Sequence, residues 1–191
     1  MLFGTLGAGL VVDWIALRDE YDPWDSAGID AGWFFSNTLT TRVAKVAAGR
    51  ERPFVEPCGL DPDYVSSCDA GSDGNASFFS GHASESATLA GLLCARHLHR
   101  RERGRADLAI CGAAVAASAA TGVLRITADQ HWATDVLVGW ISGGIFGYVL
   151  PSLVDYRGAP GSAAGRTLAL LRHLEPMGRR ATWGLRASFR F

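Results

Sequence analysis

The sequence predicts an all-α fold, a bundle of about five helices that crosses a membrane. Three observations predict it. Residues 108–124 and 136–154 are 17- and 19-residue runs without a charge. At 1.5 Å per residue they reach about 26–28 Å, close to a hydrocarbon core of about 30 Å. No period-two alternation interrupts the helical stretches, so a sheet has no support there. The arginines are also segregated along the chain in a way that gives it two distinct ends.

Composition bounds the rest. The chain has 191 residues, enough for one domain, with 48 % hydrophobic and 19 % charged residues. That is below the roughly 25 % charged of an average soluble domain and excludes intrinsic disorder. Net charge is −1 and pI about 6.5, which offers no basic surface for nucleic acid. The 23 glycines follow no triplet period, and four cysteines are too few for a disulfide scaffold. Mean hydropathy is +0.12, between a soluble enzyme and an all-membrane protein. Of 18 basic side chains, one is Lys, at position 45, and the rest are Arg. A residue used once against that bias is a candidate for placement by its compact ammonium.

The elements read as follows. Residues 1–17 are apolar apart from Asp13; no basic residue precedes the run and no A-x-A site follows, so it does not read as a secretory signal. Residues 18–27 read as a polar turn around Pro23. A helix is expected over 28–50, apolar first and then carrying Arg42 and Lys45, ended by Pro53 and Pro57. Residues 54–79 form a long loop, a length that is usually functional in a compact domain. Helices follow over 82–99, 108–124 and 136–154. Residues 1–154 are read as the helical domain and 155–191 as an Arg-rich tail. At its end, 183–191 alternate apolar and polar, a strand pattern; one strand cannot close a membrane barrel.

Charge sets the expected orientation. The loop 54–79 holds Glu56, Asp61, Asp63, Asp69 and Asp73 and no Lys or Arg, whereas the connector 96–105 has five Arg and the tail 157–191 seven. The positive-inside rule then puts connector and tail in the cytoplasm and the acidic loop outside. The four acids and one Arg of 18–27 run against this, but acids carry little weight in the rule. Cys58 and Cys68 fall in the outer, oxidising loop and are expected to form a disulfide, closing a short loop.

Three clusters carry chemistry. Lys45 and Arg52 are seven apart, two helical turns, so both cations are expected on one side. Ser80-Gly81-His82 opens a helix, where free N–H groups and the dipole favour an anion and glycine lets the backbone approach it. Arg125, His131 and Asp135 form the third; four residues apart on a helix, Asp135 could orient His131 and leave its other nitrogen as a nucleophile. Three cations with N–H donors suit a phosphoryl group, and two histidines suit a nucleophile and a general acid. By this topology all three clusters meet at the outer face.

The pattern K-x6-RP, SGH, R-x5-H-x3-D, spanning 45–135, resembles the type 2 phosphatidic acid phosphatase superfamily, which includes membrane lipid phosphatases, soluble acid phosphatases and vanadium haloperoxidases. The resemblance implies that His131 attacks phosphorus to form a phosphohistidine, that Asp135 orients it, and that His82 protonates the leaving oxygen and then activates water. Lys45, Arg52 and Arg125, with Ser80 and the Gly81 N–H, would hold the phosphoryl oxygens, with no metal or other cofactor. The expected protein is a phosphatase acting on a lipid phosphate or diphosphate in a bacterial inner membrane, its site facing the periplasm. Alternatives on the same residues are phosphoryl transfer to another acceptor, vanadate-dependent haloperoxidation, or an inactive lipid-binding relative. Phe79 stands where the family often has Pro, Leu124 where it often has Ser, and five helices stand against the six common in membrane members.

The remaining polar and aromatic residues have simpler expectations. His97, His99 and His173, among arginines, are read as solvated, and Cys94 and Cys111 as inert buried thiols. Asp129 and Gln130 have no assigned role. The loop aspartates lack EF-hand spacing and read as a solvated acidic surface. Trp132 and Trp140 read as interface or packing residues.

Overall fold

The computed structural model describes residues 23–65, 68, 74–100 and 104–156, and among them every regular element is helical. Helix α1 spans Pro23–Ala48, a short α2 Val55–Leu60, α3 Gly81–Arg100 and α4 Arg105–Thr127. Helix α5 runs Ala133–Gly144 and continues through a π-helical turn, Ile145–Val149, into α6, Leu150–Val154. The expected N-terminal apolar segment, His173 and the terminal strand lie outside the described residues.

Two boundaries differ from the sequence reading. Residues 23–27 belong to α1 rather than to a turn, because the fixed φ of proline suits the first helical position. At the other end α1 stops at Ala48, where Gly49 takes φ +53° and its N–H bonds back to the Lys45 carbonyl at 3.1 Å. That left-handed C-terminal residue is an ordinary use of glycine. Arg52 therefore lies beyond the helix, and the two-turn argument for its alignment with Lys45 does not apply.

Helix α3 is central and packs against α1, α4 and α5. It meets α5 closely, because Gly139 and Gly143 of α5 and Gly147 of the π-helical turn repeat every four residues and present no side chain to α3. A Cβ at Gly139 would lie 2.8 Å from the Ser80 carbonyl oxygen, and at Gly143 and Gly147 it would run into the Ser84 and Thr88 carbonyls. Gly91 of α3 is equally tight against Gly147. Such small-residue seams are typical where backbones pack without side-chain volume between them.

Beside a core that includes Phe34, Phe54, Leu92 and Val136, the interior holds many polar residues, and much of the exterior is apolar. Asn37, Thr41, Ser84, Thr88 and Ser118 are buried. They are tied by Thr41–Ser84 (3.0 Å), Ser142 to Asn37 (2.8 Å) and Ser86–Ser118 (3.2 Å) hydrogen bonds. Outside, Phe35, Leu39, Val43, Val115, Val123, Leu137 and Ile141 are exposed. Arg105–Thr127 and Ala133–Val154 are long and apolar enough to cross a membrane, and only 17 % and 28 % of their apolar windows are buried within the protein. Core helices of a soluble domain would be mostly buried.

The end of the bundle holding the α3–α4 connection corrects three expectations. His97 and His99 are buried, not solvated. His97 Nδ1 meets Asp107 at 2.8 Å, and His99 stacks on Tyr156 with ring centroids 5.4 Å apart. Arg96 pairs with Asp30, and Trp33 donates to Asp155 at 2.8 Å. Cys94 and Cys111 are not thiols but a disulfide linking α3 to α4, Cα atoms 4.7 Å apart. The hairpin brings them together, which their separation of 17 residues does not disclose.

The glycine seam makes a direct prediction. Gly143→Ala is expected to destabilise the fold by about 1–3 kcal/mol through overpacking, read as a lower thermal midpoint in detergent. Gly144→Ala, where an added Cβ meets nothing within 4 Å, is expected to leave the midpoint essentially unchanged.

Candidate active site

All three sequence clusters meet at one end of the bundle, opposite the α3–α4 connection. Lys45 sits in the last turn of α1, where its ammonium donates to the Ala76 carbonyl at 2.5 Å. Its Cε lies 3.9 Å from where a Cβ on Gly81 would be, so the first and second clusters touch. Arg52 follows the turn after α1, with its backbone N–H on the Gly74 carbonyl at 2.8 Å. Arg125 occupies the last turn of α4. Ser80 is buried immediately before α3, its Oγ accepting the Ala83 N–H at 3.4 Å as a weak N-terminal cap. His82 is exposed in the first turn of α3, whereas His131 is only 2 % exposed. Lys45, Arg52 and Arg125 all act electrostatically on both histidines.

Gln130, given no role in the sequence, joins two of the cations. Its Oε1 accepts from Arg52 at 2.9 Å and from Arg125 at 3.3 Å. Its neighbour Asp129 adopts φ +51°, a conformation Asp tolerates better than most residues. Its carboxylate accepts from the Tyr64 hydroxyl at 2.9 Å and its carbonyl from the Phe54 N–H at 3.2 Å. The acidic loop is thereby pinned to the third cluster. Within that loop Cys58 and Cys68 form a disulfide, Cα atoms 5.4 Å apart.

His131 and Asp135 are not helical neighbours as their spacing implied. Trp132 is the N-cap of α5, with extended backbone, so His131 precedes the helix and Asp135 occupies its first turn. His131 Nδ1 and Asp135 Oδ2 are 4.0 Å apart, beyond a hydrogen bond. Asp135, with no solvent exposure, instead takes 2.6 Å from Arg50, 2.5 Å from the Ser77 hydroxyl and 3.2 Å from the Trp132 N–H. The last of these is the backward half of a capping box. Arg50 and Ser77 are the residues the sequence reading missed. The only signal for Arg50 was a second Arg inside the Lys45–Arg52 interval, and Ser77 carried none.

A sequence model of the PAP2 superfamily, the type 2 phosphatidic acid phosphatase group, matches residues 31–159. The chain belongs to the PAP2 superfamily. The matched span contains every site residue named above. Among curated proteins and among solved structures, no match is found. PAP2 membership gives phosphatase-type chemistry on a phosphorylated small substrate as the general activity.

Burial pushes the His131 imidazole down to about 3, reinforced by Lys45, Arg52 and Arg125 and opposed by a backbone hydrogen bond with Ser77. His131 is therefore held in its neutral form at pH 7. The stability consequence follows from linkage. Below its ordinary value of 6.5 the unfolded chain takes up a proton that folded His131 refuses until about pH 3, so stability falls as pH falls through that window. His131→Gln is expected to lose less stability between pH 7 and pH 4 than the parent, measured by thermal unfolding in detergent without phosphate.

Proposed function

We propose that this PAP2 protein is a membrane phosphatase that hydrolyses a lipid phosphomonoester or diphosphate through a phosphohistidine at His131. The observation that carries the proposal is the convergence of Lys45, Arg52 and Arg125 on His82 and His131, at the end of helices whose outer faces are apolar and exposed. That placement suits a substrate whose charged head meets the cations while its tail stays among hydrocarbon.

The chemistry divides into two displacements. A neutral ring nitrogen of His131 attacks phosphorus. The P–N bond forms as the P–O bond to the lipid breaks, and His82 gives its proton to the departing oxygen. Water then attacks the phosphohistidine, His82 takes a proton from it, and the P–N bond breaks to release phosphate. The three cations, Ser80 and the Gly81 N–H stabilise the equatorial oxygens in both steps. Charge neutralisation by three side chains supports a reaction without a metal.

Orientation follows from charge. Five Arg in 96–105 against none in 54–79 supports a cytoplasmic connector and a site on the outer, periplasmic face of a bacterial inner membrane.

Phosphate release in detergent, with EDTA present, tests the reading across phosphatidate, phosphatidylglycerophosphate, a polyprenyl diphosphate and a soluble aryl phosphate. Release from at least one lipid substrate is expected to exceed that from the aryl phosphate. His131→Ala is expected to abolish turnover and phosphoenzyme, and His82→Ala to slow turnover by about 10²–10⁴-fold. Activity lost in EDTA and restored by Mg²⁺, or retained by His131→Ala, would overturn the mechanism.

A further inference from the structure

Asp135 is held by groups that the three-cluster reading does not use. Arg50 lies two residues past the end of α1, inside the Lys45–Arg52 interval, and bridges Asp135 Oδ1 at 2.6 Å and Thr134 Oγ1 at 2.8 Å. Its guanidinium stacks over Trp132, 5.5 Å from the ring centroid, and the Trp132 indole N–H is fixed by the Glu51 carbonyl at 2.9 Å. The Arg50 carbonyl in turn accepts the Ser77 N–H at 2.9 Å, and the Ser77 hydroxyl donates to Asp135 Oδ2 at 2.5 Å. Arg50, Ser77 and Asp135 thus form a closed triangle that occupies both carboxylate oxygens. His131 Nδ1, buried, has no hydrogen-bond partner among the described residues and sits 4.0 Å from the nearer oxygen.

We propose that Arg50 is a positioning residue: through its ion pair with Asp135 it sets how closely that carboxylate approaches His131 and how much of its negative charge the imidazole feels. The inference rests on the role of His131 as nucleophile for its catalytic consequence, but its physical content is independent of turnover. A carboxylate compensated by a guanidinium draws a proton onto the neighbouring imidazole less strongly than a free one. Arg50 therefore restrains Asp135, so that His131 stays neutral and nucleophilic until a phosphoryl group arrives. The other charged groups acting on His131 are Lys45 of α1, Arg52 after it, and Arg125 of α4, with His82 of α3 under the same cations. All of them remain when Arg50 is removed.

Two measurements test this. The first is a pH titration of histidine side-chain resonances in ¹⁵N-labelled protein in detergent, with His131 assigned by its loss in His131→Gln. Arg50→Met is expected to raise the His131 midpoint, and Arg50→Lys, which keeps the charge but not the fork, to raise it less. Ser77→Ala, which leaves the other oxygen only the longer bond from the Trp132 N–H, is expected to shift it the same way and serves if Arg50→Met does not fold. The buried His97 and His99 at the far end report whether the fold is intact. An unchanged His131 in folded variants overturns the inference, whether or not the protein hydrolyses anything.

The second is steady-state kinetics on whichever substrate the wild type turns over. Arg50→Met is expected to lower kcat by about tenfold or more, with KM and orthovanadate inhibition within about twofold, and to add less than about twofold in an Asp135→Asn background. A large rise in KM and loss of vanadate inhibition in both backgrounds would instead make Arg50 a direct phosphate ligand and overturn the proposal. Absence of phosphate release by the wild type would sink the phosphatase reading alone; the titration would still decide the role of Arg50.

Discussion

A carboxylate with no access to water organises the end of this protein where the three clusters meet. Burying Asp135 is tolerable only because each oxygen is met by a donor, and those donors come from three separate stretches of chain. Arg50 brings in the segment after α1, Ser77 the segment before α3, and Trp132 the start of α5. The Asp135 carbonyl takes the Ser80 N–H at 3.0 Å, so the same residue also fixes the strand of backbone that leads into Ser80-Gly81-His82. The two histidines face a common site because both flanking segments are tied to this one residue.

The cations around that site are arranged by a second device. Three positive side chains close together repel one another, and among the described residues neutral oxygens are in contact with them. Gln130 gathers Arg52 and Arg125, and the Ala76 carbonyl holds Lys45. The buried carboxylate of Asp135 is met by a separate cation, Arg50.

Most of the architecture was legible in the sequence because it rests on long local patterns. The uncharged stretches of α4 and α5 and the SGH start of α3 are one-dimensional signals, and the helices follow them closely. The misreadings share a cause, which is that helical spacing was assumed to continue where a single residue stops it. Gly49 ends α1 before Arg52, and Trp132 caps α5 after His131. The family's three clusters could be found by order and spacing, but what supports them could not. Arg50 and Ser77 reach Asp135 across 85 and 58 residues, and no local pattern marks such contacts. His97 and His99 looked solvated because arginines flank them in sequence; the helix turns those histidines inward.

The glycine seam between α3 and α5 also bears on how this sequence can change over time. Along the outer faces of α4 and α5, Leu, Val and Ile are exposed and touch little of the protein, so one apolar residue can replace another at small cost. At Gly139, Gly143 and Gly147 every available replacement is larger, and the nearest atom at each is a main-chain carbonyl oxygen, which no compensating side-chain substitution can remove. Drift is therefore expected to accumulate on the apolar exterior and to halt at the seam. An insertion or deletion of one residue within α5 would be worse than any substitution, since it would rotate the glycines off α3 and carry Asp135 away from Ser77 and Ser80 in the same motion.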